Sequence, residues 1–169
     1  MNNEITADLL NICRILGKHQ VQYLIVGGIA VGFHGFIRIS TTSSGQPAEK
    51  QDFDLWYNPT YENYFRLLDA LEDLGQDVQE FKNERTPQPL RSFFKFNCPN
   101  FTVDFLPEII GFKRFSEVTN SIELVRIDNI SIPIIGYEDL VKNKKISGRK
   151  KDLEDLAWLE LNRKNKSKK

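Results

Sequence analysis

A chain of 169 residues with 23 basic and 23 acidic side chains carries no formal net charge. That balance excludes a global field drawing it to nucleic acid or membrane, so any electrostatic function has to be local. The length fits one domain able to hide roughly 70% of its extended surface, and 40% hydrophobic with 27% charged residues is ordinary globular composition.

Two cysteines, Cys13 and Cys98, without a C-x-x-C pair argue against structural zinc and a disulfide framework. They read as reduced thiols of a cytoplasmic protein. The N-terminus has neither the basic nor the long apolar region of a signal peptide. Runs such as Tyr23–Val26 and Ile132–Ile135 are too short to cross a bilayer, so no membrane partner is expected.

In chain order, Thr6 or Asp8 is placed to cap a first helix carrying Leu9, Leu10, Ile12, Cys13 and Leu16 at helical spacing, with Gly17 stopping it. Tyr23–Val26 reads as a buried strand meeting a Gly27-Gly28 turn, and Ile29–His34 as a short helix closed by Gly35. Ser40–Gln51 is polar, rich in Gly, Pro and Ser and without periodicity, which predicts a loop. Asp52–Tyr57 alternates as a strand, broken at Asn58-Pro59-Thr60. Thr60 or Asn58 then caps a helix with the stripe Tyr64, Leu67, Leu68 and Leu71, ended by Gly75. Arg91–Asn97 and Phe101–Leu106 read as an antiparallel pair, and Ile122–Ile127 and Ile130–Ile135 as a hairpin around Asp128-Asn129. Helices are expected at Tyr137–Ile146 and Lys150–Asn162. Residues 1–162 form one domain on this reading, and 163–169 a basic tail expected to be disordered. The order of elements predicts an α/β (α+β) domain, a mixed sheet with helices on its faces.

The chemistry lies in the carboxylates. Residues i and i+2 of a strand share a face, so Asp52 and Asp54 project together while Phe53 and Leu55 face the core. In the later strand Phe101, Val103 and Phe105 form the apolar face, leaving Asp104 opposite with Thr102 and Leu106. An ionised Asp in Val-Asp-Phe-Leu is costly unless it is paired, hydrogen-bonded or bound to a cation. Three such carboxylates on two neighbouring strands suit magnesium, whose hard oxygen preference extends to substrate phosphates. Two ions could together stabilise an in-line phosphoryl displacement. Gly27 and Gly28 permit close backbone approach, and amides at a helix start can receive phosphate. Neither the dinucleotide fingerprint nor the P-loop is present. The competing readings are strand-end aspartates satisfied by turn amides, and a tight strand–helix turn.

The ordered segments Val26-Gly27-Gly28-Ile29-Ala30…His34-Gly35…Arg38, Asp52-Phe53-Asp54-Leu55 and Val103-Asp104-Phe105 resemble the nucleotidyltransferase superfamily. Within it they are most similar to small bacterial proteins, the minimal nucleotidyltransferases and the AbiEii-type toxins. Gly148-Arg149-Lys150-Lys151-Asp152-Leu153-Glu154-Asp155-Leu156 looks like that group's terminal helix. The resemblance implies a nucleotidyltransferase fold, with Asp52, Asp54 and Asp104 as catalytic and metal-holding residues. It implies phosphate binding by Gly27 and Gly28, with Arg38, Lys145, Arg149 and Lys151 placed to neutralise a nucleoside triphosphate; for these four the competing reading is solvated surface charge. The implied reaction transfers a nucleoside monophosphate to a hydroxyl of an RNA, a protein or a small molecule, with two magnesium ions. A toxin–antitoxin setting would add an antitoxin as partner. His34 reads as a helix C-cap rather than an acid or base.

One departure concerns activity more than fold. Ser40–Gln51 lengthens the link between the glycines and the acidic pair, and no basic-Thr pair directly precedes Asp52. The alternative function is a noncatalytic nucleotide-binding or protein-interaction module on the same fold. A weaker third reading is nonspecific nucleic-acid binding through the basic tail.

Overall fold

The computed structural model describes residues 3–35, 50–98 and 101–166. The elements are α1 (Asn3–Lys18), β1 (Tyr23–Ile25), α2 (Gly27–Phe33), β2 (Gln51–Tyr57), α3 (Tyr61–Asp73), α4 (Gln79–Lys82), β3 (Phe94–Asn97), β4 (Phe101–Leu106), β5 (Glu123–Ile127), β6 (Ile130–Ile134), α5 (Tyr137–Ser147) and α6 (Lys150–Lys166). The six strands make one sheet in the order β3-β4-β2-β1-β6-β5. The β2–β4 and β1–β6 pairs are parallel, and the other three are antiparallel. This is the expected mixed α/β architecture.

Register decides what each face carries. Tyr23 and Tyr57 are partners across β1 and β2, so they share a face, together with Phe53 and Leu55. That face is the dry one: Phe53, Leu55, Tyr57, Leu16, Tyr64, Leu67 and Leu68 are all buried, under α1 and α3. The Tyr57 hydroxyl, buried here, donates to the carbonyls of Pro89 and Ser92 at 2.6 Å each. The opposite face carries Asp54 and Trp56 and lies beneath α2, α5 and α6. Trp56 packs on Phe112 and Phe115 there. Among the described residues, no helix is long and apolar enough to cross a membrane.

Several boundaries differ from the sequence reading. Helix α1 already runs from Asn3, which puts Thr6 and Asp8 inside it rather than at its cap. Gly17 is helical too, and the turn that ends α1 uses Gln20 at φ 55. Helix α2 starts at Gly27 itself, after Val26, whose amide continues the sheet by donating to the Asp54 carbonyl at 2.9 Å. Strand β3 begins only at Phe94, because Pro89–Arg91 forms a 3₁₀ turn with Pro at its start. Helix α6 continues to Lys166, so Arg163 and Lys164, assigned to the tail, are helical. Arg163 there pairs with Glu138 and lies over the Tyr137 ring. Other expectations match: Thr60 caps α3, accepting from the Asn63 amide. Asp128 and Asn129 take φ 48 and 64, the two-residue hairpin turn whose twist suits its strands.

Candidate functional site

Strands β2 and β4 run parallel with Asp54 opposite Asp104 and Asp52 opposite Thr102. All three aspartates therefore lie on one face, on adjacent strands about 4.8 Å apart. Each has a distinct environment. Asp52 is exposed and accepts a short hydrogen bond from the Thr102 hydroxyl. Asp104 is mostly covered and faces Lys95, its register partner on β3, whose ammonium stands 3.1 Å from Oδ1 and 3.2 Å from Oδ2. Its Oδ1 is buried and meets the Lys95 ammonium as an ion pair without hydrogen-bond geometry.

Asp54 is pressed against the start of α2. A Cβ built on Gly27 would lie 2.0 Å from Asp54 Oδ2 and 2.9 Å from its Cγ, and Gly27 has φ +64. Only glycine satisfies both conditions, since other residues are strained at that φ and there is no space for a side-chain atom. Burial, followed by the like charges of Asp104 and Asp52, pushes the Asp54 carboxyl up to about 6, against the opposing pull of Lys151 and Lys144.

The cations divide into groups. Lys144 is buried on α5, 2.9 Å from Asp152 Oδ1 and 2.7 Å from Asp155 Oδ2, both of which are fully buried on α6. Arg149, at the α5–α6 junction, donates to Asp152 through Nε at 2.6 Å and Nη2 at 3.2 Å. These partners hold the Asp152 carboxyl well below the usual carboxylate range despite its burial. Arg149 also lines a cavity of about 260 Å³ with Val26, Gly27, Asp54, Glu108 and Asn143. Lys151 acts on Asp54 electrostatically. Lys145 is exposed and lines a different hollow, with Tyr137, Glu138 and Arg163. Gly28 sits in the first turn of α2. Arg38, and residues 40–49 of the expected loop, lie outside the described residues.

Sequence reasoning missed Lys144, Asp155, Asn143, Glu108 and Lys95. One signal was available: Asp152, Asp155, Leu156 and Leu159 fall on one helical face, so the aspartates share the buried stripe. Replacing Lys144 by Met should therefore cost about 3–5 kcal/mol, because it removes the buried ammonium shared by two buried carboxylates, Asp152 keeping only Arg149 of its two cationic partners. Denaturant unfolding measures this, and a loss below about 1 kcal/mol would contradict the buried bridge. His34 is the C-cap residue of α2, but its ring caps nothing there. Its Nε2 donates to the Ile135 carbonyl at 2.9 Å, tying the end of α2 to the β6–α5 junction.

The donor chemistry suits a hard divalent cation: three carboxylates on one face, one of them seated in the space that Gly27 leaves by lacking a Cβ. Among the described residues, though, no three His, Cys, Asp or Glu side chains converge tightly enough to hold an ion as they stand.

No family model matches the chain, and no curated protein matches it. A solved structure of a "putative nucleotidyltransferase" from Thermotoga maritima aligns over 95% of each chain, with a TM-score of 0.57 and 16% identity. At that identity the likeness speaks to fold alone. The six-stranded mixed sheet flanked by helices is thus a nucleotidyltransferase-like fold.

Proposed function

We propose that this protein is a metal-dependent nucleotidyltransferase that moves a nucleoside monophosphate from a nucleoside triphosphate to a hydroxyl acceptor. The observation that carries this reading is the Asp54–Asp104 register pair, with Asp52 on the same face and Gly27 backed onto Asp54. Asp52, Asp54 and Asp104 would hold magnesium, which when bound supplies charge neutralisation for the triphosphate and its leaving group. Gly27 and Gly28 would offer backbone to phosphate oxygens, and Arg149 and Lys151 positive charge beside the Asp54 cavity. The acceptor oxygen attacks the α-phosphorus, a new O–P bond forms, the bond to the β-phosphate oxygen breaks, and pyrophosphate leaves. On this reading Asp104 would take the hydroxyl proton. The acceptor is an RNA, a protein or a small molecule, and a toxin with a matching antitoxin is one setting for such an activity.

A second reading is favoured by the engagement of Asp52 with Thr102 and of Asp104 with Lys95. On that reading the protein binds nucleotide without transferring it. Incubating the chain with labelled nucleoside triphosphates, magnesium and candidate acceptors separates the two. Transfer is expected in the wild type and a loss of about a hundredfold or more in Asp54→Ala. Transfer unchanged in Asp54→Ala would sink the site assignment, and magnesium-dependent binding without transfer would favour the module.

A further inference from the structure

We infer that the Lys95 ammonium takes the place of a second metal ion beside Asp104, so that the site loads one divalent cation where the resemblance implies two. The inference rests on the metal-site reading above and narrows it.

Lys95 comes to Asp104 through sheet order. Strand β3 is an edge strand paired antiparallel to β4, and the register sets Lys95 directly opposite Asp104. Side chains opposite one another across a pair of strands share a face, so the ammonium is delivered to the face that carries the three aspartates. It stands almost equally far from both carboxylate oxygens, 3.1 Å and 3.2 Å, astride the carboxylate as a chelated cation would be. The lysine side chain is 47% exposed and that of Asp104 only 16%, so Lys95 covers the carboxylate from the solvent side. A dication approaching Asp104 from solvent would have to displace it or share the carboxylate against its repulsion.

On β2, Asp52 meets the Thr102 hydroxyl rather than an ammonium, and Asp54 lines the cavity with Gly27. The Asp52–Asp54 side is therefore where the one ion belongs, with the triphosphate. Lys95 stands in on the Asp104 side, where the acceptor hydroxyl has to lose its proton. A lysine serving only as an edge-strand charge would leave the metal count untouched when replaced.

The test is the stoichiometry of Mn²⁺ binding in the presence of a non-hydrolysable α,β-methylene triphosphate, read by electron paramagnetic resonance of free Mn²⁺ and by calorimetry. The wild type is expected to bind one ion per chain, Lys95→Gln two, and Lys95→Arg one. Lys95 is half exposed on an edge strand, so both variants should fold; circular dichroism checks this. Two ions in the wild type, or one in Lys95→Gln, would overturn the inference while leaving the metal site standing. No ion in any variant would remove the metal-site reading itself, and the inference with it.

Discussion

Gly27→Ala is expected to lower magnesium-dependent nucleotide transfer by about a hundredfold or more, because it removes the space in which the Asp54 carboxylate sits. The added methyl carbon would lie 2.0 Å from Asp54 Oδ2, far inside any tolerated contact, and the neighbouring Cγ and Cβ stand at 2.9 and 3.1 Å. A flexible side chain could swing clear, but Asp54 is flanked by Phe53 and Leu55, both buried, on a strand paired on both sides. The carboxyl group has to rotate away from α2, or α2 has to lift from the sheet. Either movement parts the two halves of the site. Alanine at φ +64 adds strain of about 1–2 kcal/mol, so thermal stability should fall as well. Gly17→Ala is the matched control: nothing lies within 4 Å of its added Cβ, and it is inside α1. There alanine should stabilise by about 0.5–1 kcal/mol and leave transfer unchanged. A Gly27→Ala enzyme within threefold of wild type would show that the contact between Asp54 and α2 has no part in the reaction.

How far the sequence reached follows from the range of each interaction. Strand alternation is local, so Asp52, Asp54 and Asp104 could be put on definite faces without knowing the sheet order, and register then brought Asp54 and Asp104 opposite each other. The Asp128-Asn129 turn is likewise a two-residue property, read directly from residues that tolerate positive φ. The partners of those groups are not local. Lys95 meets Asp104 only because β3 is β4's antiparallel neighbour. Nothing local sets Lys144 apart from Lys142 and Lys145 on α5, yet α6 folds back to bury it against Asp152 and Asp155. Lys145, one residue further round the helix, points to another hollow. The hundred degrees between successive helical residues decides which of two lysines is buried, and the packing of α6 on α5 fixes the phase. Capping signals failed at α1 for a related reason: the candidate caps Thr6 and Asp8 sit in a helix already running from Asn3.

Asp54→Asn should stabilise the protein at neutral pH while abolishing transfer. The folded Asp54 carboxyl keeps its proton up to about 6, whereas its ordinary value is 3.8. The folded state thus binds more protons than the unfolded state between those values, and stability falls as pH rises through that window. The penalty is absent below the unfolded value and complete above about 6, where it amounts to about 3 kcal/mol at most. Asparagine is nearly isosteric and carries no charge, so at pH 7.5 in EDTA it should raise Tm by about 5–10 °C. The gain should shrink steadily on acidification and vanish near pH 4. Thermal melts of both proteins at several pH values decide this, and a Tm difference constant from pH 4 to 8 would contradict a raised carboxyl. Magnesium should narrow the gap at pH 7.5, because a bound dication compensates in the wild type the buried, repelled charge that asparagine removes. A protein that holds such a destabilising charge, and gives up activity when relieved of it, keeps a strained carboxylate where the proposed chemistry needs it.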